Sequence, residues 1–200
     1  MYNFPVAHLD IDLNKIYSLW KDKYQAEHLK RPQKNTVSVE RSDLTVFNNE
    51  PWIVGRGLRP TSAFFGVTGP NSCMNPHKDP SSDPEVIKNG FVSHPWALNI
   101  PLTCDVGSYM SWYKVKPGKI TRLEGEKHSP YGNVRVPMAH LEDLDPVATV
   151  CLDRPMLVNT SEWHAVVNNN DTIRLIFSLR FTPIMSLPEA AKVFSLPALL

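Results

Sequence analysis

The residues best suited to chemistry fall in two short segments that are far apart in the chain. The first contains His77 and Asp79, two positions apart, and the second contains His164, with Arg174 ten positions further on. Alternate side chains of an extended backbone point to the same side, so His77 and Asp79 can reach one metal ion. Two imidazoles and one carboxylate on one face of an ion, with its other positions open, suit Fe(II).

The pair of His77 and Asp79 alone is also typical of a polar loop, in which an imidazole stands beside a solvated carboxylate. His164 strengthens the metal interpretation, because the polar turn 169–171 that follows it predicts a hairpin between 165–168 and 172–181. A short turn would place Arg174 beside His164, one strand width of ~4.8 Å away. There a guanidinium can bind a carboxylate through two parallel hydrogen bonds.

The side chains of the segment 172–181 alternate between a polar face and an apolar face. Arg174 and Ser178 share one side, and the other side is continuously apolar, which predicts packing beneath a helix. That apolar side consists of Ile173, Leu175, Phe177, Leu179 and Phe181. An Arg directed into a protein interior is costly unless it is paired, so a buried Arg174 needs a function. The alternative left open is a surface charge on an edge strand.

The elements that must position these residues are mostly short strands. Asp12 is a suitable N-cap for a helix over 13–30, with an apolar face of Leu13, Ile16, Tyr17, Trp20 and Tyr24. Alternation and turn residues predict about eight strands, a pattern typical of a sandwich, jelly roll or closed barrel. The predicted strands lie within 37–47 and at 61–68, 96–102, 108–115, 147–152, 156–159, 165–168 and 172–181. We expect 80–90 to be lid-like, 120–144 to be an irregular insertion over one mouth, and 188–194 to be a short closing helix.

The composition limits the class of protein. A chain of 200 residues with 18 Pro is long enough for one domain and favours turns and strands over a helix bundle. A net charge of +1 indicates neither a nucleic-acid partner nor a membrane surface. Three separated Cys and the absence of a leader or of a long apolar run predict a cytoplasmic protein.

The order of these motifs resembles that of the 2-oxoglutarate- and Fe(II)-dependent dioxygenases. In that superfamily an H-x-D pair is followed, after several strands, by a His and then by an Arg about ten residues later. The stretch 97–102, ALNIPL, is similar to the strand after H-x-D in hydroxylase-like members, including phage and bacterial oxygenases. The stretch 155–160, PMLVNT, is similar to the approach to the distal His, and the resemblance covers about 64–181.

The resemblance implies a fold and a set of roles. The fold is a mainly β, double-stranded β-helix (jelly-roll, cupin-like) barrel, with the N-terminal helix packed on the sheet. We therefore expect one domain over 1–200, comprising supporting elements in 1–60, the β-helix core in 61–181 and a C-terminal segment in 182–200. His77, Asp79 and His164 would bind Fe(II), Arg174 would pair with the distal carboxylate of 2-oxoglutarate, and dioxygen would be the co-substrate.

The implied activity is hydroxylation of a small molecule, an amino acid or a peptide side chain, with no clear nucleic-acid or membrane partner. Many members carry Ser two residues after the Arg, where this chain has Ile176. The second anchor of the co-substrate would then be Ser178, Tyr113, Tyr109 or Asn99. A different class is also open: a cupin-like metal-binding barrel without oxygenase activity, acting as an isomerase, ligand sensor or structural domain. The third class is a protein that binds no metal.

Other residues carry weaker signals. Trp112, Trp163 and Trp96 are candidates for a substrate pocket, although barrel aromatics are more often core. Glu162 either orients His164 or is simply solvated. Three other imidazoles, those of His94, His128 and His140, are each expected to have a surface or capping role.

Overall fold

A computed structural model describes residues 11–32, 35–79, 94–103, 106–119, 123–129 and 132–195. The protein is mainly β, with antiparallel sheets preceded by an N-terminal helical stretch. None of the helices in these ranges combines the length and the hydropathy that a bilayer span requires. The predicted lid at 80–90 lies outside the described residues.

The N-terminal helix occupies the predicted range, but its middle is wound differently. It comprises α1 (Leu13–Leu19), a π-helical segment (Trp20–Tyr24) and α2 (Gln25–Lys30). Asp12 caps it as expected, because its side chain accepts hydrogen bonds from the backbone N–H groups of Asn14 and Lys15 at 3.0 and 3.3 Å. The buried face is narrower than predicted. Ile16, Trp20 and Tyr24 are buried, whereas Leu13 and Tyr17 are 44% and 39% exposed.

The remaining elements follow in chain order. They are β1 (Thr36–Ser38), α3 (Arg41–Leu44), α4 (Pro51–Val54), β2 (Arg59–Thr68), β3 (Ser72–Cys73), β4 (Trp96–Pro101), β5 (Ser108–Val115), β6 (Leu123–Ser129), β7 (Gly132–Met138), β8 (Leu144–Cys151), β9 (Met156–Asn159), β10 (Trp163–Asn168), β11 (Arg174–Thr182) and α5 (Leu187–Ser195). The expectation of an irregular 120–144 was wrong, because β6 and β7 pair there as an antiparallel hairpin. β6 is largely polar and lacks the period-two alternation of a half-buried strand, whereas β7 has Val134, Val136 and Met138 at alternate positions, a signal that the prediction overlooked.

The strands form two main sheets that face each other. The five-stranded sheet has the order β1-β2-β11-β4-β9, and the four-stranded sheet has the order β3-β10-β5-β8. One apolar cluster takes Ala97, Met156 and Val158 from the first sheet and Met110, Trp112 and Val166 from the second, which places it between them. Among the described residues both sheets remain open, so the strands do not join into the closed barrel expected as one possibility.

The predicted hairpin between the last two strands does not form. β10 pairs with β3 and β5, whereas β11 pairs with β2 and β4, so the connection after Asn168 crosses from one sheet to the other. The Asn168 side chain stabilises this crossing by donating to the carbonyl oxygens of Gly69 and Thr172 at 2.9 and 2.8 Å. Arg174 is therefore not the cross-strand neighbour of His164; its partner on β2 is Thr68.

The largest core lies between the five-stranded sheet and the helices. The apolar side of β11 contributes Leu175, Phe177, Leu179 and Phe181 to this core, as its alternation predicts, whereas Ile173 precedes the strand and is 41% exposed. Phe65 on β2 connects the two layers. Its ring centroid lies 5.1 Å from that of Trp20, 5.4 Å from that of Tyr24 and 5.0 Å from that of Phe177.

We predict that Phe65→Ala lowers the free energy of unfolding by about 3–5 kcal/mol, because it leaves a cavity between helix and sheet. Urea unfolding followed by circular dichroism measures this change. The control is Leu29→Ala, which removes a side chain that is 69% exposed, and its effect should stay within about 0.5 kcal/mol. Equal effects of the two substitutions would show that Phe65 does not connect the layers.

Candidate metal centre

The candidate centre is built on a direct backbone pairing of the two distant segments. His77 and His164 form an antiparallel β-bridge, in which each backbone N–H donates to the carbonyl oxygen of the other at 2.9 Å. Met74 N–H donates to the Val166 oxygen at 2.8 Å and Asp79 N–H to the Thr160 oxygen at 2.9 Å, so the pairing extends on both sides. The two imidazoles consequently lie side by side, with ring centroids 4.4 Å apart.

The three predicted ligands meet at one point. One ligand atom each from His77, Asp79 and His164 can be chosen so that all three lie within 4.8 Å of one another. The imidazoles are 6% and 3% exposed, and the Asp79 side chain is 13% exposed. Two imidazoles and a carboxylate with this convergence could hold a first-row divalent ion, and this combination of ligand types suits Fe(II).

Both imidazoles are oriented by backbone carbonyl groups. His77 Nδ1 lies 2.9 Å from the Asn75 oxygen, and His164 Nδ1 lies 2.8 Å from the Glu162 oxygen. Because a carbonyl oxygen only accepts, each Nδ1 must carry a proton, which leaves Nε2 as the nitrogen available to an ion. Glu162 thus orients His164 through its main chain.

Arg180 is a site residue that the sequence interpretation missed. Its Nη2 donates to Asp79 Oδ2 at 2.7 Å, and its Nη1 donates to Ser178 Oγ at 2.9 Å. The guanidinium lies 5.7 Å from the Phe64 ring centroid, and the residue is 8% exposed. Burial lowers the pKa of Arg180, while the Asp79 carboxylate opposes that shift. The available signal was its place on the polar side of the strand, two residues after Ser178.

Arg174 lies on the same side of β11 but near the other end of the strand. It is 3% exposed, so the alternative of a surface charge is excluded. Six residues separate it from Arg180, which corresponds to about 20 Å along an extended strand. Between the two cations Ser178 pairs across the sheet with Asn99. Asn99 is 5% exposed, and its Oδ1 has no hydrogen-bond partner within the part of the chain that the structure describes.

Trp112 is the one of the three predicted pocket tryptophans that reaches the centre. It is the direct cross-strand neighbour of His164 and belongs to the cluster between the sheets. Its Nε1 donates to the Asn159 oxygen at 2.8 Å. Trp163 instead lies in a third cluster with Tyr113, on the other side of the four-stranded sheet. Trp96 lies in the helix-facing core, where its Nε1 donates to the Met185 oxygen at 2.9 Å.

The structure does not bring the two candidate tyrosines to the ligands. Met110 and Trp112 point between the sheets, so their alternates on β5, Tyr109 and Tyr113, point the other way. Neither phenol therefore reaches the space that Arg174 and Ser178 face.

The three other imidazoles named from the sequence differ in their surroundings. His94 is partly buried, and its Nε2 lies 3.4 Å from Thr61 Oγ1. Burial, together with the nearby charge of Arg180, lowers the pKa of His94 to about 4, which keeps this ring neutral. His140 is exposed, and the side chain of His128 lies outside the described part of the chain.

Comparisons with known proteins do not assign a family. No family model matches the chain, and no curated protein matches it. Similar solved structures include the non-heme monooxygenase ThoJ in its apo form and as a nickel complex. Each has a TM-score of 0.45 and 12% sequence identity, covering 92% of this chain and 76% of that chain.

We predict that Mn(II) raises the melting temperature of the protein and that His77→Ala abolishes this rise. A ligand that binds only the folded state at a hundred times its Kd stabilises it by about 2.7 kcal/mol. Thermal denaturation with and without Mn(II) is the measurement. His140→Ala removes an exposed imidazole and should keep the full rise. The same rise in both variants would place the ion elsewhere.

Proposed function

We propose that this protein is a non-haem Fe(II)- and 2-oxoglutarate-dependent dioxygenase that hydroxylates a small molecule, an amino acid or a peptide side chain. The observation that carries the proposal is the convergence of His77, Asp79 and His164 from segments more than eighty residues apart. Arg174, buried on the side of β11 that faces the centre, supports the choice of co-substrate.

The proposal includes a finer description of the fold. Two antiparallel sheets face each other, and successive strands cross between them, as β10 and β11 do. That arrangement is consistent with a double-stranded β-helix, in which the metal ligands lie near one end of the space between the sheets. The apolar cluster around Met110, Met156 and Val158 closes part of that space to water.

The chain's own residues would perform three tasks. His77, Asp79 and His164 would hold Fe(II) on one side and leave its remaining positions for small ligands. When bound, Fe(II) supplies the redox chemistry that couples oxidative decarboxylation of the keto acid to oxidation of the substrate. Trp112 and its apolar neighbours would shield that chemistry from water, and Trp112 would form one wall for the substrate.

The co-substrate would extend along the polar side of β11. 2-Oxoglutarate has a keto-acid end that can chelate a metal and a distal carboxylate that needs a cation. Arg174 offers that cation, since a guanidinium binds a carboxylate bidentately. Ser178 and the buried Asn99 are cross-strand neighbours on this side of the sheet and would contribute polar contacts to the co-substrate. Ile176, at the position where many family members have Ser, would contribute only apolar contact.

The direct test is anaerobic addition of Fe(II) and 2-oxoglutarate, followed by visible absorption spectroscopy. We expect the weak charge-transfer band of the metal-chelated keto acid. Its absence from a protein that demonstrably binds the metal would favour a metal-binding barrel without oxygenase activity. Decarboxylation of 2-oxoglutarate under air, measured as succinate formed, then reports turnover.

We predict that Arg174→Ala removes the preference for 2-oxoglutarate over 2-oxobutyrate, which lacks the distal carboxylate. Hydrogen bonds to charged groups contribute about 1.5–3 kcal/mol, so the preference should fall by roughly 10- to 100-fold. Keto-acid titrations of the chelate band measure it.

Arg154→Ala, which removes an exposed Arg, is the matched control and should keep the preference. If Arg174→Ala keeps it too, the distal carboxylate binds elsewhere.

A further inference from the structure

Arg180, the second buried arginine of β11, takes no part in binding the proposed co-substrate. We propose that Arg180 is a positioning residue that sets how Asp79 binds the metal, by retaining one carboxylate oxygen and leaving the other as a single ligand atom. The inference rests on the metal site of the proposed function, and it is independent of the identity of the co-substrate.

The two oxygens of Asp79 have different surroundings. Oδ2 accepts a hydrogen bond from Arg180 Nη2 at 2.7 Å, whereas Oδ1 lies 3.8 Å from His77 Nε2. Oδ1 is therefore the oxygen that lies toward the imidazoles. A metal that chelated both oxygens would have to displace the guanidinium from Oδ2, which would leave a buried cation poorly compensated.

The guanidinium is held independently of Asp79. Its other arm donates to Ser178 Oγ at 2.9 Å, and its plane lies near the Phe64 ring. Arg180 itself pairs with Ser62 on β2, and the four residues before it, 176–179, also pair with β4 on the other side. A rigid fork held at two points is a preorganised partner for a carboxylate, which a lysine cannot reproduce.

The ion pair also joins the two halves of the centre. His77 and His164 lie along the four-stranded sheet through their bridge, whereas Arg180 belongs to the five-stranded sheet. Asp79 lies outside any strand, and its backbone N–H bonds to the Thr160 oxygen. Its carboxylate is thus placed by a contact from the opposite sheet.

The coordination mode has a consequence for reactivity. An octahedral ion bound by two imidazoles and one carboxylate oxygen keeps enough positions for a chelating keto acid together with dioxygen. A chelating Asp79 would remove one of those positions. Arg180 therefore determines how many small ligands the centre can accept.

Charge and positioning make opposite predictions for metal affinity. Arg180 partly neutralises Asp79, so on charge alone its removal would tighten the binding of a divalent cation. If Arg180 instead orients the ligand, its removal should weaken binding, because partners of metal ligands typically contribute 10- to 100-fold in affinity. The sign of the change distinguishes the two roles.

The experiment measures Mn(II) affinity by electron paramagnetic resonance and metal-bound water by proton relaxation. We expect Arg180→Met to weaken Mn(II) binding by roughly 10- to 100-fold and to lose about one bound water as Asp79 becomes chelating. Arg180→Lys keeps the positive charge but not the two-armed guanidinium, so its Mn(II) affinity and its number of bound waters should lie between those of wild type and Arg180→Met. The control is Arg154→Met, which removes an exposed Arg outside the centre and should match wild type in both readouts.

Unchanged or tighter Mn(II) binding by Arg180→Met, with an unchanged water number, would overturn the inference. If Arg180→Met does not fold, Arg180→Lys and Ser178→Ala test the inference in its place. Each keeps part of the ion pair with Asp79 and should lower both the Mn(II) affinity and the number of metal-bound waters. Failure of wild type and Arg154→Met to bind Mn(II) at all would overturn the proposed metal site and this inference together. Normal binding by both, with no effect at Arg180, would overturn this inference alone.

Discussion

The backbone bridge between His77 and His164 is the constraint on which the candidate metal centre depends. It exchanges both main-chain hydrogen bonds between segments that the sequence separates by most of the β structure. Once this pairing exists, the two imidazoles must be neighbours, and the carboxylate two residues after His77 must lie close to both. The convergence is therefore a product of strand pairing and does not require the ion to assemble it.

β11 connects this centre to the stability of the fold. One side carries Leu175, Phe177, Leu179 and Phe181 into the core beneath the helices, and the other carries Arg174, Ser178 and Arg180 toward the space between the sheets. The alternation was readable from the sequence, and so were most strands, because short runs bounded by turn residues leave few other solutions. The sheet partners were not readable. A polar turn between two strands predicts a hairpin, whereas Asn168 instead supports a crossing between sheets.

The part of the candidate site that could be predicted is the part that follows a local sequence pattern. The H-x-D pair could be named from its spacing, since alternate residues share a side. His164 was assigned from the resemblance to a family motif order and from a hairpin that does not form. Arg180 could not be paired with Asp79 from the sequence, because that contact depends on how the two sheets stack across a gap of 101 residues. Tyr109, Tyr113, Trp96 and Trp163 were assigned from residue type alone, and the pleat directs each of them away from the ligands.

The carbonyl groups of Asn75 and Glu162 have a further implication for how the site tolerates sequence change. Main-chain oxygens are present whatever side chain a codon specifies, so the tautomer of both ligands is encoded by chain path alone. The side chains at positions 75 and 162 can then change without disturbing the imidazoles. Only substitutions that bend the path itself, such as those introducing proline, would reach the ligands from these positions.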